Sequence, residues 1–189
     1  YDNIDPINFK NSINKIDLRT TGIVVISKSG STPETLSQYA CLIEIFHQKN
    51  ELNILFNNSL IITEDKQSPL ANIARKNKCT LIKHESDIGG RFSIFSNVGM
   101  VPSILAGLDV KKIHEGAVEE IKHQANFDFL KIAQLFLYQK VKPSLTNSVI
   151  MTYSDALFNL SGLAENISES KGWVEHCLRS DPSYLKAKL

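Results

Sequence analysis

Short apolar runs alternate with longer segments of helical periodicity through the first half of the chain. Residues 21–27, T-G-I-V-V-I-S, form a β-branched apolar run that is typical of a strand buried on both faces of a parallel sheet. The next segment predicts a helix to about Lys49, because its apolar residues recur every three or four positions. Either Thr32–Pro33, as N-cap and first helical residue, or a Ser31–Glu34 capping box can start this helix.

The alternation of strand and helix continues and predicts a β-α-β-α-β order, in which parallel strands are joined by right-handed crossovers. We therefore expect an α/β fold, whose sheet gives way to helices after Gly89–Gly90. The further predicted elements are a strand at 59–63, a helix at 69–76, a strand at 80–83, helices at 99–106, 110–124 and 128–139, a strand at 148–152 and a helix from Ser154 or Asp155 towards Glu169.

Composition and charge exclude several classes of protein. The 189 residues are 42% hydrophobic and 22% charged, as in a globular protein rather than a disordered or fibrous one. Lysine and arginine number 21 against 20 acidic residues, without a long basic block, so nucleic acid is not an expected partner. The longest uncharged stretch, residues 92–108, is too short and too polar to span a bilayer, so we expect no membrane segment.

The cysteine and histidine positions predict neither a disulfide framework nor a metal site. The cysteines Cys41, Cys79 and Cys177 are far apart and form no C-x-x-C pair, which favours reduced thiols in the cytoplasm. The histidines show no metal-ligand spacing, and we expect no metal and no cofactor. Because Tyr1 is neither an initiator methionine nor the start of a signal peptide, we expect the chain to be part of a longer one.

A hydroxyl-rich segment, S-K-S-G-S-T-P-E-T at 27–35, lies where the first predicted strand meets the first long helix. Unpaired N–H groups and the helix dipole favour an anion at such a junction, and hydroxyls add donors without fixed charge. Gly30 would let the backbone approach a ligand closely, as a phosphate monoester requires. The alternative is that these residues only cap the helix and fill a turn.

This segment closely resembles the sugar-phosphate loop of SIS (sugar isomerase) domains. The resemblance implies a three-layer α-β-α fold with a parallel sheet, followed here by an incomplete second subdomain. It also implies a phosphosugar ligand whose phosphate is bound by Ser27, Lys28, Ser29, Ser31 and Thr35. Because SIS domains include both enzymes and regulators, the loop alone does not imply catalysis.

A second motif, G-G-R-F-S-I-F-S-N-V-G at 89–99 with the residues that follow it to Asp109, resembles a signature stretch of the glucose-6-phosphate isomerase family. The glycines would permit a tight turn, and Arg91 would offer a permanently charged fork to oxygen atoms. The resemblance places Gly90 beside the substrate and gives Arg91 a catalytic role. The alternative is a solvent-facing arginine after a turn.

The segment from Tyr153 to Glu169–Ser170 resembles the part of the family that carries the catalytic glutamate. Glu169 is therefore the expected base, although the string E-S-K-G-W departs from the family's E-S-x-G-K and the match needs a gap of one residue. Glu165 is a competing candidate, and a solvated surface glutamate is the alternative for either. His176 lacks the family's context and is interpreted as a surface residue.

The resemblance implies an isomerase of glycolysis and gluconeogenesis that interconverts glucose 6-phosphate and fructose 6-phosphate in the cytoplasm, as a homodimer in the complete protein. Family segments that hold the sugar and open its ring have no counterpart in this sequence, so we expect the chain alone to be inactive. We divide it into a sugar-phosphate-binding domain, 1–125, and a helical connection with the start of a second subdomain, 126–189. The alternatives are a non-catalytic phosphosugar-binding module, another aldose–ketose isomerase of SIS type, or a decayed isomerase.

Overall fold

A computed structural model describes residues 4–123 of the chain. The helices and strands among these residues are α1 (Pro6–Ile13), β1 (Ile23–Ile26), α2 (Pro33–Gln48), α3 (Leu52–Asn57), β2 (Ser59–Thr63), α4 (Pro69–Lys76), β3 (Thr80–Lys83), a 3₁₀ turn (Gly90–Phe92), α5 (Asn97–Leu105) and α6 (Val110–His123). No helix in this range is both long and apolar enough to cross a membrane.

The three strands form a parallel sheet in the order β1-β2-β3. Val25 lies beside Ile61 in the first pair of strands, and Ile61 lies beside Leu81 in the second. The predicted α/β fold, a parallel sheet flanked by helices, is confirmed. Since the strands are parallel, all three end at one edge of the sheet, where the loops that follow them lie close together.

One face of the sheet packs against α2, α3 and α4 to form the core. Ile61 of the central strand, Leu55 of α3 and Leu70 of α4 are completely excluded from solvent. Helix α2 contributes Tyr39 and Phe46, each 2% exposed, from one apolar stripe. Burial of each such side chain contributes about 1.5–3 kcal/mol to the free energy of folding. This core therefore holds in place the sheet and the loops at the carboxyl ends of its strands.

Most predicted element boundaries agree with the structure. The strands at 59–63 and 80–83 and the helix at 69–76 are found with those bounds, whereas β1 is shorter than the predicted 21–27. Helix α2 begins after Thr32 as the N-cap, which decides between the two predicted starts. Helix α5 begins two residues before the predicted Gly99 because the Ser96 hydroxyl accepts a hydrogen bond from the backbone N–H of Val98 at 3.3 Å.

Two helices were not predicted, and several predictions lie outside the described residues. Helix α3 has only six residues, too few to show a helical period clearly. Helix α1 has eight, as many as α4, and was missed although Asp5–Pro6 gives it the same kind of N-cap and proline start. The elements predicted from 128 onward all lie outside residues 4–123. The chain divides into two compact units, 1–110 and 111–189, and only 111–123 of the second is described. The predicted domain division at 125/126 stays a prediction.

Candidate functional site

The turn between β1 and α2 is held together by its own hydroxyl groups. The Ser27 hydroxyl is buried, lies 2.7 Å from the Thr32 hydroxyl and accepts a hydrogen bond from the Gly30 N–H at 3.1 Å. The Ser29 hydroxyl accepts bonds from both the N–H and the hydroxyl of Ser31, at 3.2 and 3.1 Å. Ser31 itself is exposed and Thr35 is half-buried. The predicted hydroxyls therefore come together at the start of α2, with Ser27 innermost.

Gly30 brings this turn against the end of β2 and the start of α4. Its φ is +66°, and an added Cβ would lie only 2.1 Å from the Ser68 hydroxyl and 2.9 Å from the Thr63 hydroxyl. The Gly30 carbonyl also accepts a hydrogen bond from the N–H of Leu70 at 3.0 Å. Ser68 in turn caps α4 by accepting from the Ala71 N–H at 3.3 Å. Two helix N-termini thus adjoin the same turn. The first N–H groups of α4 are bonded to Gly30 and Ser68, so the dipole of α2 is the one that favours an anion there.

Backbone donors complete the anion-binding character of the turn. Within residues 4–123, the N–H groups of Lys28 and Ser29 donate no hydrogen bond. The N–H groups of Glu34 and Thr35 belong to the first turn of α2, where a helix has no internal acceptors for them. Exposed N–H groups and hydroxyls together suit a phosphate monoester.

The Lys28 side chain links this turn to the loop that follows β3. Its ammonium donates to the carbonyl oxygens of Ser86 at 2.9 Å and Ile88 at 2.7 Å. It also lies 3.6 Å from a carboxylate oxygen of Glu64, the first residue after β2. The ammonium is therefore directed to the protein, which leaves the Lys28 backbone N–H as its group for a bound phosphate.

Glu64 remains ionised beside this lysine. A hydrogen bond from the Lys66 ammonium is the main cause that holds the pKa of Glu64 below its ordinary value. Partial desolvation opposes this shift, while Coulombic attraction from Lys66 and Lys28 adds to it. The carboxylate thus brings negative charge close to the turn, and the two lysines balance it.

Gly90 and Arg91 lie in the short 3₁₀ turn after β3, which Ser93 closes by donating from its hydroxyl to the Gly90 carbonyl at 2.6 Å. A Cβ added at Gly90 would meet nothing within 4 Å, and the φ of Gly90 is not positive. The predicted tight turn is present, but its backbone does not require glycine at this position. The Arg91 side chain is exposed to solvent.

Sequence reasoning missed several groups of this site. Thr32, Thr63 and Ser68 line the turn, and the carbonyls of Ser86 and Ile88 hold the lysine. Ser68–Pro69 could have been found, because it repeats the pattern of Thr32–Pro33 after the next strand. The roles of the Ser86 and Ile88 carbonyls could not have been predicted, because every residue has a backbone carbonyl.

The expected base is not located by the structure, since Glu169 and Glu165 lie outside the described residues. In the described part of the chain, no three His, Cys, Asp or Glu side chains are grouped as a metal site would require. Cys41 is exposed and Cys79 is buried, and both are free thiols.

Comparison with known proteins identifies the family. A family model described as phosphoglucose isomerase matches residues 1–171, which include both motifs and both candidate glutamates. The chain belongs to the phosphoglucose isomerase family.

Relatives within the phosphoglucose isomerase family are much longer than this chain. It is 36% identical over 162 residues to a glucose-6-phosphate isomerase of Methanocaldococcus jannaschii, a match that covers 82% of this chain and 39% of the relative. A glucose-6-phosphate isomerase of Campylobacter jejuni is 32% identical over 179 residues, or 91% of this chain and 43% of the relative. The chain thus spans about two fifths of the length of these relatives.

A solved structure shares the fold. The crystal structure of a hypothetical protein from Thermus thermophilus matches with a TM-score of 0.77 and 26% identity, covering 88% of this chain and 40% of that one. The α/β arrangement described here for residues 4–123 is therefore shared with a solved protein of similar sequence.

Proposed function

We propose that this chain supplies the sugar-phosphate-binding part of an isomerase that interconverts glucose 6-phosphate and fructose 6-phosphate. The observation that carries the proposal is the turn between β1 and α2, where hydroxyls and free backbone N–H groups meet beside two helix N-termini. Membership of the phosphoglucose isomerase family supports the choice of a phosphosugar over other phosphate monoesters.

The turn would act as an SIS-type phosphate site. Ser29, Ser31 and Thr35 would donate hydroxyl bonds to the phosphate, and Lys28 would donate its backbone N–H. Ser27, buried within the turn at 5% exposure, would contribute mainly through its bond to Thr32. Holding the phosphate fixes the position of the reacting carbons relative to the catalytic groups.

The proposed reaction moves the C2 hydrogen to C1 and the O2 hydroxyl hydrogen to O1 through a cis-enediol. After ring opening, the Glu169 carboxylate takes the proton from C2. The electron pair of that bond forms the C1–C2 double bond, and the carbonyl electrons pass to O1, which gains the proton that O2 loses as the ketone forms. The same carboxyl group then returns the proton to C1, a general base and acid role worth roughly 10²–10⁴-fold in rate. Arg91 would stabilise the negative charge that develops on the enediolate, and loss of such a donor costs on the order of 10²–10³ in rate. Gly90, with open space at its Cα, would let the sugar approach the backbone.

The complete enzyme would be a cytoplasmic homodimer of glycolysis and gluconeogenesis, with neither nucleic acid nor a membrane as partner. Free thiols at Cys41 and Cys79 and the near balance of 21 basic against 20 acidic residues support this proposal. Because the chain spans about two fifths of its relatives, we expect it to bind the phosphosugar without turning it over.

Substitution of Ser29 by aspartate tests the phosphate site. The new carboxylate would face the phosphate, so the affinity for fructose 6-phosphate should fall at least about tenfold through like-charge repulsion. Ser37→Asp is the matched control, since it adds the same charge at an exposed position further along α2. Calorimetric or NMR titration measures both. Unchanged affinity in a folded Ser29→Asp variant would contradict the proposed site.

A further inference from the structure

We infer that Lys28 is a positioning residue, which holds the loop carrying Arg91 in place against the phosphate-binding turn. The consequence of this role for phosphate binding rests on the proposed function. Its geometric basis is the pair of hydrogen bonds from the ammonium to Ser86 and Ile88, residues 58 and 60 positions further along the chain.

Lys28 is anchored at its backbone before its side chain crosses to the loop. Its carbonyl accepts a hydrogen bond from the Glu64 N–H at 3.1 Å and from the Thr63 hydroxyl at 3.3 Å. At the neighbouring strand, the Thr63 carbonyl accepts from the N–H of His84 at 2.8 Å. Lys28 therefore joins the carboxyl ends of all three strands, and its side chain completes the link from β1 to the loop after β3.

A group with several N–H donors fits the far end of this link. The Ser86 and Ile88 carbonyls both direct their negative ends at one point, and the ammonium between them offsets their mutual repulsion. An ammonium has three donors, and Glu64 lies on its remaining side. The side chains of Glu85, Ser86 and Asp87 are exposed. The half-buried Ile88 and a 2.8 Å hydrogen bond between the His84 ring and the Glu85 carbonyl hold the loop together with Lys28.

The Lys28 side chain connects the phosphate-binding turn with the segment that carries Arg91. Ile88 is followed directly by Gly89, Gly90 and Arg91, so the position of the Ile88 carbonyl sets where this short turn begins. Because the Lys28 backbone N–H faces the proposed phosphate, one residue connects the bound anion with the loop. Phosphate binding and order in the loop should then be coupled, and by linkage each should favour the other.

The test compares Lys28→Met and Lys28→Gln with Lys66→Met in the 189-residue chain, with inorganic phosphate as the probe. Methionine keeps most of the length without donors, and the shorter glutamine has a single amide that cannot reach both carbonyls. Lys66 is the matched control, because its loss also removes a cation from Glu64 but leaves the bonds to Ser86 and Ile88 in place. Backbone ¹⁵N relaxation in the absence of phosphate reports order in the loop, and a phosphate titration reports the coupling.

In the unsubstituted chain and in Lys66→Met, the order parameters of Ile88, Gly89 and Arg91 should stay at about 0.85. Both Lys28 variants should lower them to below about 0.6, with Ile61 in β2 unchanged. Phosphate should shift the amide signals of Ser29 and Arg91 together in the unsubstituted chain. In the Lys28 variants it should shift Ser29 alone, a spectroscopic signature that a general loss of stability would not produce.

Wild-type order parameters in the loop of either folded Lys28 variant would overturn the inference. So would a loss of order of the same size in Lys66→Met. Failure of the proposed phosphate site has a different signature, since phosphate would then shift no amide of the β1–α2 turn even in the unsubstituted chain. The order parameters are measured without phosphate and therefore decide the role of Lys28 independently.

Discussion

Gly30 and Gly90 both belong to the proposed site, and they lack a side chain for different physical reasons. Gly30 has a positive φ and packs against Ser68, so the fold itself excludes a Cβ there. At Gly90 the backbone is ordinary and the space in front of the Cα is open. A glycine that the fold does not need is explained most simply by close approach of a ligand.

Alanine substitutions should separate these two reasons. Gly30→Ala should lower the free energy of unfolding by about 1–3 kcal/mol, because it adds left-handed strain and a clash with Ser68. Gly90→Ala should change stability by less than about 0.5 kcal/mol. It should nevertheless weaken binding of fructose 6-phosphate while leaving the affinity for inorganic phosphate unchanged. Denaturant unfolding and calorimetry measure the two quantities, and equal sugar-phosphate affinity in Gly90→Ala would remove Gly90 from the site.

Individual residues also show where prediction from sequence ends. The hydroxyls of Ser27 and Ser29 could be placed at a strand-to-helix junction because side-chain type and local spacing define such a turn. The direction of the Lys28 ammonium could not be predicted, since it depends on carbonyls 58 and 60 residues away. A contact between a side chain and a distant backbone carbonyl cannot be recognised in the sequence, because every residue type has such a carbonyl.

At the scale of elements, segments with a clear pattern of apolar residues were predictable, even where they are short. Helix α4 starts at a proline, and strands β2 and β3 contain β-branched and apolar residues, and the bounds of all three agree with the structure. Helix α3 is only six residues long and is stabilised by tertiary packing, with Leu55 fully buried. Packing of α3 in the core, rather than a helical pattern in its own sequence, therefore explains why this segment is helical.

The contact between α2 and β2 should make stability depend on alkaline pH. Tyr39 of α2 donates to the Ser59 hydroxyl at 3.0 Å, and burial is the main cause that raises its pKa to about 12. Because the fold favours the neutral phenol, its contribution is complete below pH 10, the ordinary pKa of tyrosine, and is lost as the pH rises through about 12. We expect the free energy of unfolding to fall across this interval.

Tyr39→Phe should remove that part of the pH dependence. At neutral pH the variant should lose about 0.5–1.5 kcal/mol with its hydrogen bond to Ser59. Unfolding measured from about pH 9 to about pH 12 in both proteins isolates the tyrosine, because the lysines that titrate in the same range are common to both. Parallel curves for the two proteins would show that Tyr39 ionises equally in the folded and unfolded states.

At the scale of the whole molecule, the proposed phosphate site lies within the described residues, whereas the proposed base lies outside them. The phosphate turn and Arg91 stand at one edge of the sheet, and the match to the family extends to 171 and so includes Glu169. The proposed isomerase needs both parts, together with the remaining length that its relatives have. A test of the base therefore belongs in a protein that contains the whole of the family's length.

In such a protein, Glu169→Gln should abolish proton transfer and preserve sugar-phosphate binding. The amide keeps the shape of the side chain but has no basic oxygen, so the rate should fall by at least about 10²-fold. Glu165→Gln is the matched control, the same change four positions earlier and outside the E-S motif, and should have a much smaller effect. Exchange of the C2 hydrogen of the substrate with solvent measures proton abstraction directly. Exchange that persists in Glu169→Gln and disappears in Glu165→Gln would assign the base to Glu165 instead, since the amide blocks the reaction only where the carboxylate performs it.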